Sequence, residues 1–149
     1  MTLAKALAGG LPMGALLATA EVAGAFVPGA HASTFGGGPV IAAAAATAVA
    51  LLSDEKLLAE VRAKGDYLQK ALLQLQAGFP VIRQVRGLGL MWGLELAQDG
   101  APLVAACRER GVLVNCTQGN VVRLLPPLIV SIDELNRGLQ VLEEALALL

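Results

Sequence analysis

The chain has 149 residues, 56% of them hydrophobic and 15% charged, with a formal net charge of −1. That length accommodates one ordinary domain or two small lobes, the near-neutral charge argues against nucleic acid or an anionic membrane as partner, and the apolar surplus implies surface that something else covers. Two cysteines, Cys107 and Cys116, and one histidine match neither a disulfide framework nor a metal site, which suits a reducing cytoplasm without a bound metal.

Taken in order, Thr2 to Leu7 reads as the end of a strand or a turn of helix, followed by the Gly9-Gly10-Leu11-Pro12-Met13-Gly14 turn. Gly14 to Thr19 is an apolar run consistent with a short buried strand, and Glu21 to Phe26 a brief helical turn. A loop from Gly29 to Gly38 leads into Pro39, which suits the first turn of a helix because its missing N–H is not needed there. That helix should run to about Leu52 and, being alanine-rich nearly all round, pack on several sides. Its apolar stretch, Val40 to Leu52, is shorter than the ~20 residues a membrane-spanning helix requires. No cationic segment leads into an apolar one with a cleavage site, so no secretory signal is expected. Asp54 is placed to cap a further helix with Leu57, Leu58, Val61, Leu68, Leu72 and Leu75 at helical spacing. Val81 to Val85 and Leu90 to Leu96 read as strands joined through Arg86-Gly87-Leu88-Gly89, and Pro102 to Arg110 as a helix closed by Gly111. Val112 to Asn115 and Val121 to Leu125 are two further short strands. Ser131-Ile132-Asp133-Glu134 is a capping box opening a last helix to Leu149. The sum is an α/β to α+β chain with a helical first part and a small α+β lobe from Phe79 onward.

Three places carry candidate chemistry. Lys5 stands among Leu3, Ala4, Ala6 and Leu7 with no carboxylate nearer in sequence than Glu21. An amine in apolar surroundings loses solvation of its charged form, titrates lower and attacks carbonyls to form a Schiff base; a lysine snorkelling from the end of a core element is the plainer reading. Ser33 and Thr34 offer donors ahead of a glycine-rich helix entry, where free N–H groups favour an anion, although a Ser/Thr turn explains the same pattern. Arg123, ahead of Pro126-Pro127, has the planar fork that binds a carboxylate through two nitrogens, and a structural ion pair is its alternative. Arg86 is assigned to structure, Trp92 and Tyr67 to the core, and His31 to its loop.

Two motifs in order, TLAKALAGGLPMGA from Thr2 and HASTFGGGP from His31, resemble the signature of class III aminotransferases, the fold-type I enzymes that use pyridoxal phosphate. The segments RGLGLMWGLEL (Arg86 to Leu96), GVLVN (Gly111 to Asn115) and NVVRLLPPL (Asn120 to Leu128) are also similar to that family, most of all to its acetylornithine aminotransferase branch. The resemblance implies that Lys5 carries pyridoxal 5′-phosphate covalently. It also implies that Thr34, beside Ser33, reaches the cofactor phosphate of a neighbouring subunit, making a homodimer, and that Arg123 engages the carboxylate of glutamate or 2-oxoglutarate. Gly38 stands where the family pattern has asparagine. The implied reaction moves an amino group from N-acetylornithine to 2-oxoglutarate in arginine biosynthesis, with ornithine, succinylornithine or 4-aminobutyrate as alternative donors. The chain corresponds to the C-terminal part of such an enzyme: residues 1–78 as a remnant of the cofactor-binding large domain with a linking helix, and residues 79–149 as the small domain. The isolated chain is therefore expected to be inactive; the alternative is a non-catalytic fragment or subunit that self-associates or complements a missing half.

Overall fold

The computed structural model describes residues 1–149, which form two compact units, Met1–Glu55 and Lys56–Leu149.

In the first unit a two-residue strand β1 (Thr2–Leu3) pairs antiparallel with β2 (Ala15–Leu16), Thr2 opposite Leu16 and Leu3 opposite Ala15. Between them lies a one-turn 3-10 helix, Lys5–Ala8, closed by Gly9 at φ 62 and followed by Gly10 at φ 106. Both glycines occupy left-handed backbone that a side chain would strain. Helix α1 (Ala20–Ala23) is a single turn capped by the Thr19 hydroxyl. Helix α2 (Pro39–Leu52) begins at the proline, as its sequence predicts.

The core here is small: Leu7, Ala8 and Ala45 are buried, with Leu3, Met13, Ala15 and Ile41 packed around them. Two expectations fail in this unit. The Gly14–Thr19 run forms only a two-residue strand, and Leu16 and Leu17 are 57% and 49% exposed. Helix α2 buries Ala45 alone. An all-apolar helix has no preferred face of its own, so the face that packs is the one that meets Leu7 and Ala8.

The second unit is an antiparallel four-stranded sheet with helices. Its strands are β3 (Ile82–Leu88), β4 (Met91–Leu96), β5 (Asn115–Thr117) and β6 (Val121–Leu124), in the spatial order β3-β4-β6-β5. Its helices are α3 (Glu55–Gly78), α4 (Ala101–Glu109) and α5 (Ile132–Leu146). Strands β3 and β4 form a hairpin with a two-residue turn, Gly89 and Leu90, between the Leu88–Met91 pair. Gly89 takes φ 58 there, as such turns require. The strand predicted over Val112–Asn115 starts at Asn115 instead, because the ladder extends only as far as β6 can pair: Asn115 opposite Arg123, Thr117 opposite Val121.

Period-2 alternation sorts the sheet into two faces. Trp92, Leu94 and Leu96 of β4, Val122 of β6 and Ile82 of β3 turn into one hydrophobic cluster with Leu68, Leu72 and Leu75 of α3, Leu103 and Cys107 of α4, and Leu135, Leu142 and Leu146 of α5. Glu95 and Arg123 alternate with these residues along their strands, and Arg86 joins them outside the cluster because the register of β3 shifts between Ile82 and Gln84, which turns Val85 toward the core. An antiparallel sheet clad by helices on one face is the α+β arrangement, in line with the fold class expected above.

Trp92 is 4% exposed and its indole N–H donates to the Gly89 carbonyl at 2.8 Å. Tyr67, expected in the core, is 38% exposed, and its hydroxyl bonds the Asn136 side chain. It lies one residue before the inward-facing Leu68, on the helix flank where a phenol keeps its polar end wet. The capping box is complete: Ser131 accepts from the Glu134 N–H at 3.1 Å, and Glu134 accepts from the Ser131 N–H at 2.7 Å. No helix is long and apolar enough to cross a membrane.

Candidate functional site

Three of the four predicted site residues lie in the first unit and one in the second.

Lys5 opens the 3-10 turn with φ 59. A left-handed conformation at a residue with a side chain costs on the order of 1–3 kcal/mol and persists only where the surroundings impose it. The imposing elements are the β1–β2 pair before the turn and the left-handed Gly9 after it, with Leu7 N–H bonded to Ala4 O at 3.3 Å and Gly9 N–H to Ala6 O at 3.1 Å. The apolar envelope expected around Lys5 is not what this unit builds. Leu7 and Ala8 take the inward positions, 8% and 3% exposed, and Lys5 is exposed. What the fold secures for this amine is access and a constrained backbone, not burial.

Ser33 and Thr34 are exposed in the loop ahead of α2. The loop is tight at its end. A Cβ on Gly36 would sit 2.8 Å from the Ser33 side chain, and Gly37 takes φ 69. Gly38 is the N-cap and has no side chain to satisfy the first N–H groups of the helix, and Pro39 follows at the first helical position. Asparagine at position 38, as in the family pattern, would provide a capping oxygen. His31 stacks at a tilt on Phe26, ring centroids 5.2 Å apart, in keeping with its assignment to the loop.

Arg123 is exposed on β6. It forms one member of a row running straight across the sheet: Arg86 opposite Gly93, Gly93 opposite Arg123, Arg123 opposite Asn115. Arg86 is engaged, its Nη1 donating to Gln84 Oε1 at 2.7 Å and to Glu95 Oε2 at 2.6 Å, which bears out its structural assignment. Arg123 meets no carboxylate; its Nε donates to Asn115 Oδ1 at 3.2 Å. Downstream of it, Leu125, Pro126 and Pro127 line an apolar groove of about 430 Å³ with Val112 and Leu139, and Arg123 is not part of that lining. Asn115 ends the GVLVN segment, whose pattern by itself gives it no site role. Only the strand register, which sets position 115 against 123, brings it to the site.

The chemistry of this donor set fits an aldehyde-bearing, phosphorylated cofactor. An accessible primary amine, Lys5, and hydroxyls at a helix entry, Ser33 and Thr34, occur together in the first unit, and the second unit displays a guanidinium with no acidic partner.

The class-III aminotransferase sequence model matches residues 1–146. The chain belongs to the class III aminotransferases. It is 46% identical over 141 residues, 95% of its length, to the acetylornithine aminotransferase of Methanothermobacter thermautotrophicus, of which it covers 36%. Among solved structures, the acetylornithine aminotransferase of Elizabethkingia anophelis superposes with a TM-score of 0.87 at 31% identity, over 99% of this chain and 40% of that one. The ornithine aminotransferase of Toxoplasma gondii gives 0.89 at 32% identity, over 99% and 36%, and that protein is described with partial occupancy of pyridoxal phosphate at its active site. The chain thus spans just over a third of the length of its relatives. Enzymes of this class are transaminases dependent on pyridoxal phosphate.

Proposed function

We propose that this chain provides the lysine-bearing and arginine-bearing segments of a transaminase that takes the amino group of N-acetylornithine and delivers it to 2-oxoglutarate, in arginine biosynthesis. The observation that carries the reading is the 46% identity, over 95% of this chain, to the acetylornithine aminotransferase of Methanothermobacter thermautotrophicus; the solved acetylornithine and ornithine aminotransferases match about equally, at 31% and 32%. Ornithine, succinylornithine and 4-aminobutyrate are the competing donors. Pyridoxal phosphate, when bound, supplies an aldehyde and an electron-withdrawing ring.

The residues here have separate tasks. Lys5 holds the cofactor through its amine and, once displaced, moves a proton at its Nζ as general base and then acid. Ser33 and Thr34 donate to a phosphate, Thr34 to that of a second subunit in a homodimer. Arg123 binds a carboxylate of the oxo acid through its fork and fixes its orientation. Two free cysteines accord with a reducing compartment such as the cytoplasm.

A chimera tests the donor. Residues 1–149 replace the matching segment of the Methanothermobacter enzyme, and turnover with 2-oxoglutarate is compared across the four amines. Preference for N-acetylornithine is expected; a preference for ornithine or 4-aminobutyrate rejects the assignment.

A second reading has its own support. Leu16, Leu17, Val22, Phe26, Val27 and Phe35 of the first unit are 48–87% exposed, more apolar surface than a small soluble unit normally leaves open. On this reading the isolated polypeptide associates through that surface and turns nothing over alone. Sedimentation of the purified chain decides it: concentration-dependent association is expected, and a monomer at high concentration rejects it.

A further inference from the structure

We infer that Asn115 is a positioning residue for Arg123: it holds the guanidinium by its Nε so that both terminal nitrogens face outward as a carboxylate fork. This rests on the carboxylate role proposed for Arg123 and adds how the fold prepares it.

The argument begins with what an arginine can do on a strand. Its side chain is long and rotamer-rich, and a free guanidinium loses that freedom when a ligand arrives. Arg has donors only, so an anchor must present an acceptor. Asn115 Oδ1 does so at 3.2 Å and takes the Nε hydrogen. Binding there leaves Nη1 and Nη2 without a protein partner, and these are two of the donors that a carboxylate can engage in parallel.

The neighbours in the row explain why the acceptor must be neutral. Arg86 is matched by Glu95 at 2.6 Å. A carboxylate beside Arg123 would match it likewise and leave nothing for a ligand; an amide oxygen orients the cation and leaves its charge unspent. Gly93, directly between the two arginines, contributes no side chain, and a Cβ there would come within 3.3 Å of Val121.

The test uses the full chain and nuclear magnetic resonance of the Arg123 Nε–H group, with 2-oxoglutarate as probe. In the unsubstituted chain the Nε–H should be ordered, and 2-oxoglutarate should shift its signal. Asn115→Ala should lower the order parameter and weaken the 2-oxoglutarate response about fivefold, the value of one net side-chain hydrogen bond. Asn115→Asp separates positioning from mere structure: the Nε–H stays ordered while the 2-oxoglutarate response is lost, because the new carboxylate neutralises the fork. Amide spectra of both variants outside β5 and β6 should stay unchanged. An Asn115→Ala chain with undiminished order and response overturns the inference and leaves the Arg123 assignment standing. An unsubstituted chain whose Arg123 signal ignores 2-oxoglutarate overturns the Arg123 assignment itself, and with it the purpose given to Asn115.

Discussion

Gly65→Ala sets two effects of similar size against each other. In an exposed helix interior the change is favourable by about 1 kcal/mol, since glycine loses more backbone entropy on folding. At position 65 it is not exposed. Gly65 lies on the buried face of α3, three and seven residues before Leu68 and Leu72. A Cβ there would stand 2.7 Å from the Gly89 carbonyl oxygen and 3.0 Å from Gly89 C and Cα. Ordinary contact begins at 3.4 Å, so helix and hairpin turn must part by about 0.7 Å. The turn resists, because Gly89 is fixed at φ 58 and its oxygen also accepts the Trp92 indole N–H at 2.8 Å.

Overpacking of this kind costs about 1–3 kcal/mol, which exceeds the propensity gain and leaves a net loss of about 1 kcal/mol. Gly138 in α5 is the internal control. Nothing lies within 4 Å of a Cβ built on it, so Gly138→Ala should stabilise by about 0.5–1 kcal/mol. Urea denaturation followed by emission of Trp92, the sole tryptophan, reads both. With m of about 1–3 kcal/mol/M, the Gly65→Ala midpoint should fall by roughly half a molar while that of Gly138→Ala rises. Gly65→Ala stabilising as much as Gly138→Ala would refute the close approach of α3 to the β3–β4 turn.

Further expectations concern the core, the last helix and the thiols. Leu72 and Leu94 are fully buried, so truncating either to alanine should cost about 2–5 kcal/mol in the same titration. Hydrogen bonds from the Ser131 N–H and then the Ser131 hydroxyl hold the Glu134 carboxyl below its ordinary value, with a smaller pull from the Lys64 charge. A depressed folded value means stabilisation that is present above the unfolded pKa of about 4.3 and lost as pH falls through the lower folded value. Ser131→Ala should therefore lower stability at neutral pH and make the acid decline shallower; an unchanged acid limb would contradict the assignment. Burial pushes the Cys107 thiol up, with Arg110 opposing more weakly, and Cys116 is only half-buried. Alkylation under native conditions should label Cys116 first, and equal rates would contradict the burial of Cys107.

How far the sequence carried depended on whether a feature was local. Pro39 opening a helix, Gly111 ending one and Ser131–Glu134 forming a capping box are short-range chemistry, and all three appear where their residues stand. The hairpin was readable for the same reason, but its turn is shorter than expected: Arg86, Gly87 and Leu88 pair within β3, and only Gly89 of the expected Arg86–Gly89 connection lies in the turn. Failures came where a distant partner decides. The packing face of α2 is set by Leu7 and Ala8, more than thirty residues away in sequence, and its own alanines give no hint of it. The start of β5 is set by pairing with β6, so Val112 and Val114 fell outside a strand that their composition had suggested. At the candidate site, motif resemblance placed Lys5, Ser33, Thr34 and Arg123, but not their surroundings. Lys5 proved exposed on left-handed backbone, and Asn115 entered only through the register that sets it opposite Arg123.

The most direct measurement is titration of the purified chain with pyridoxal phosphate, followed by borohydride reduction and peptide mapping. Saturable visible absorbance with the reduced adduct on Lys5, and its loss in Lys5→Ala, is the predicted result. Adducts scattered over Lys56, Lys64 and Lys70 with no preference for Lys5 would contradict the role assigned to that lysine in this chain.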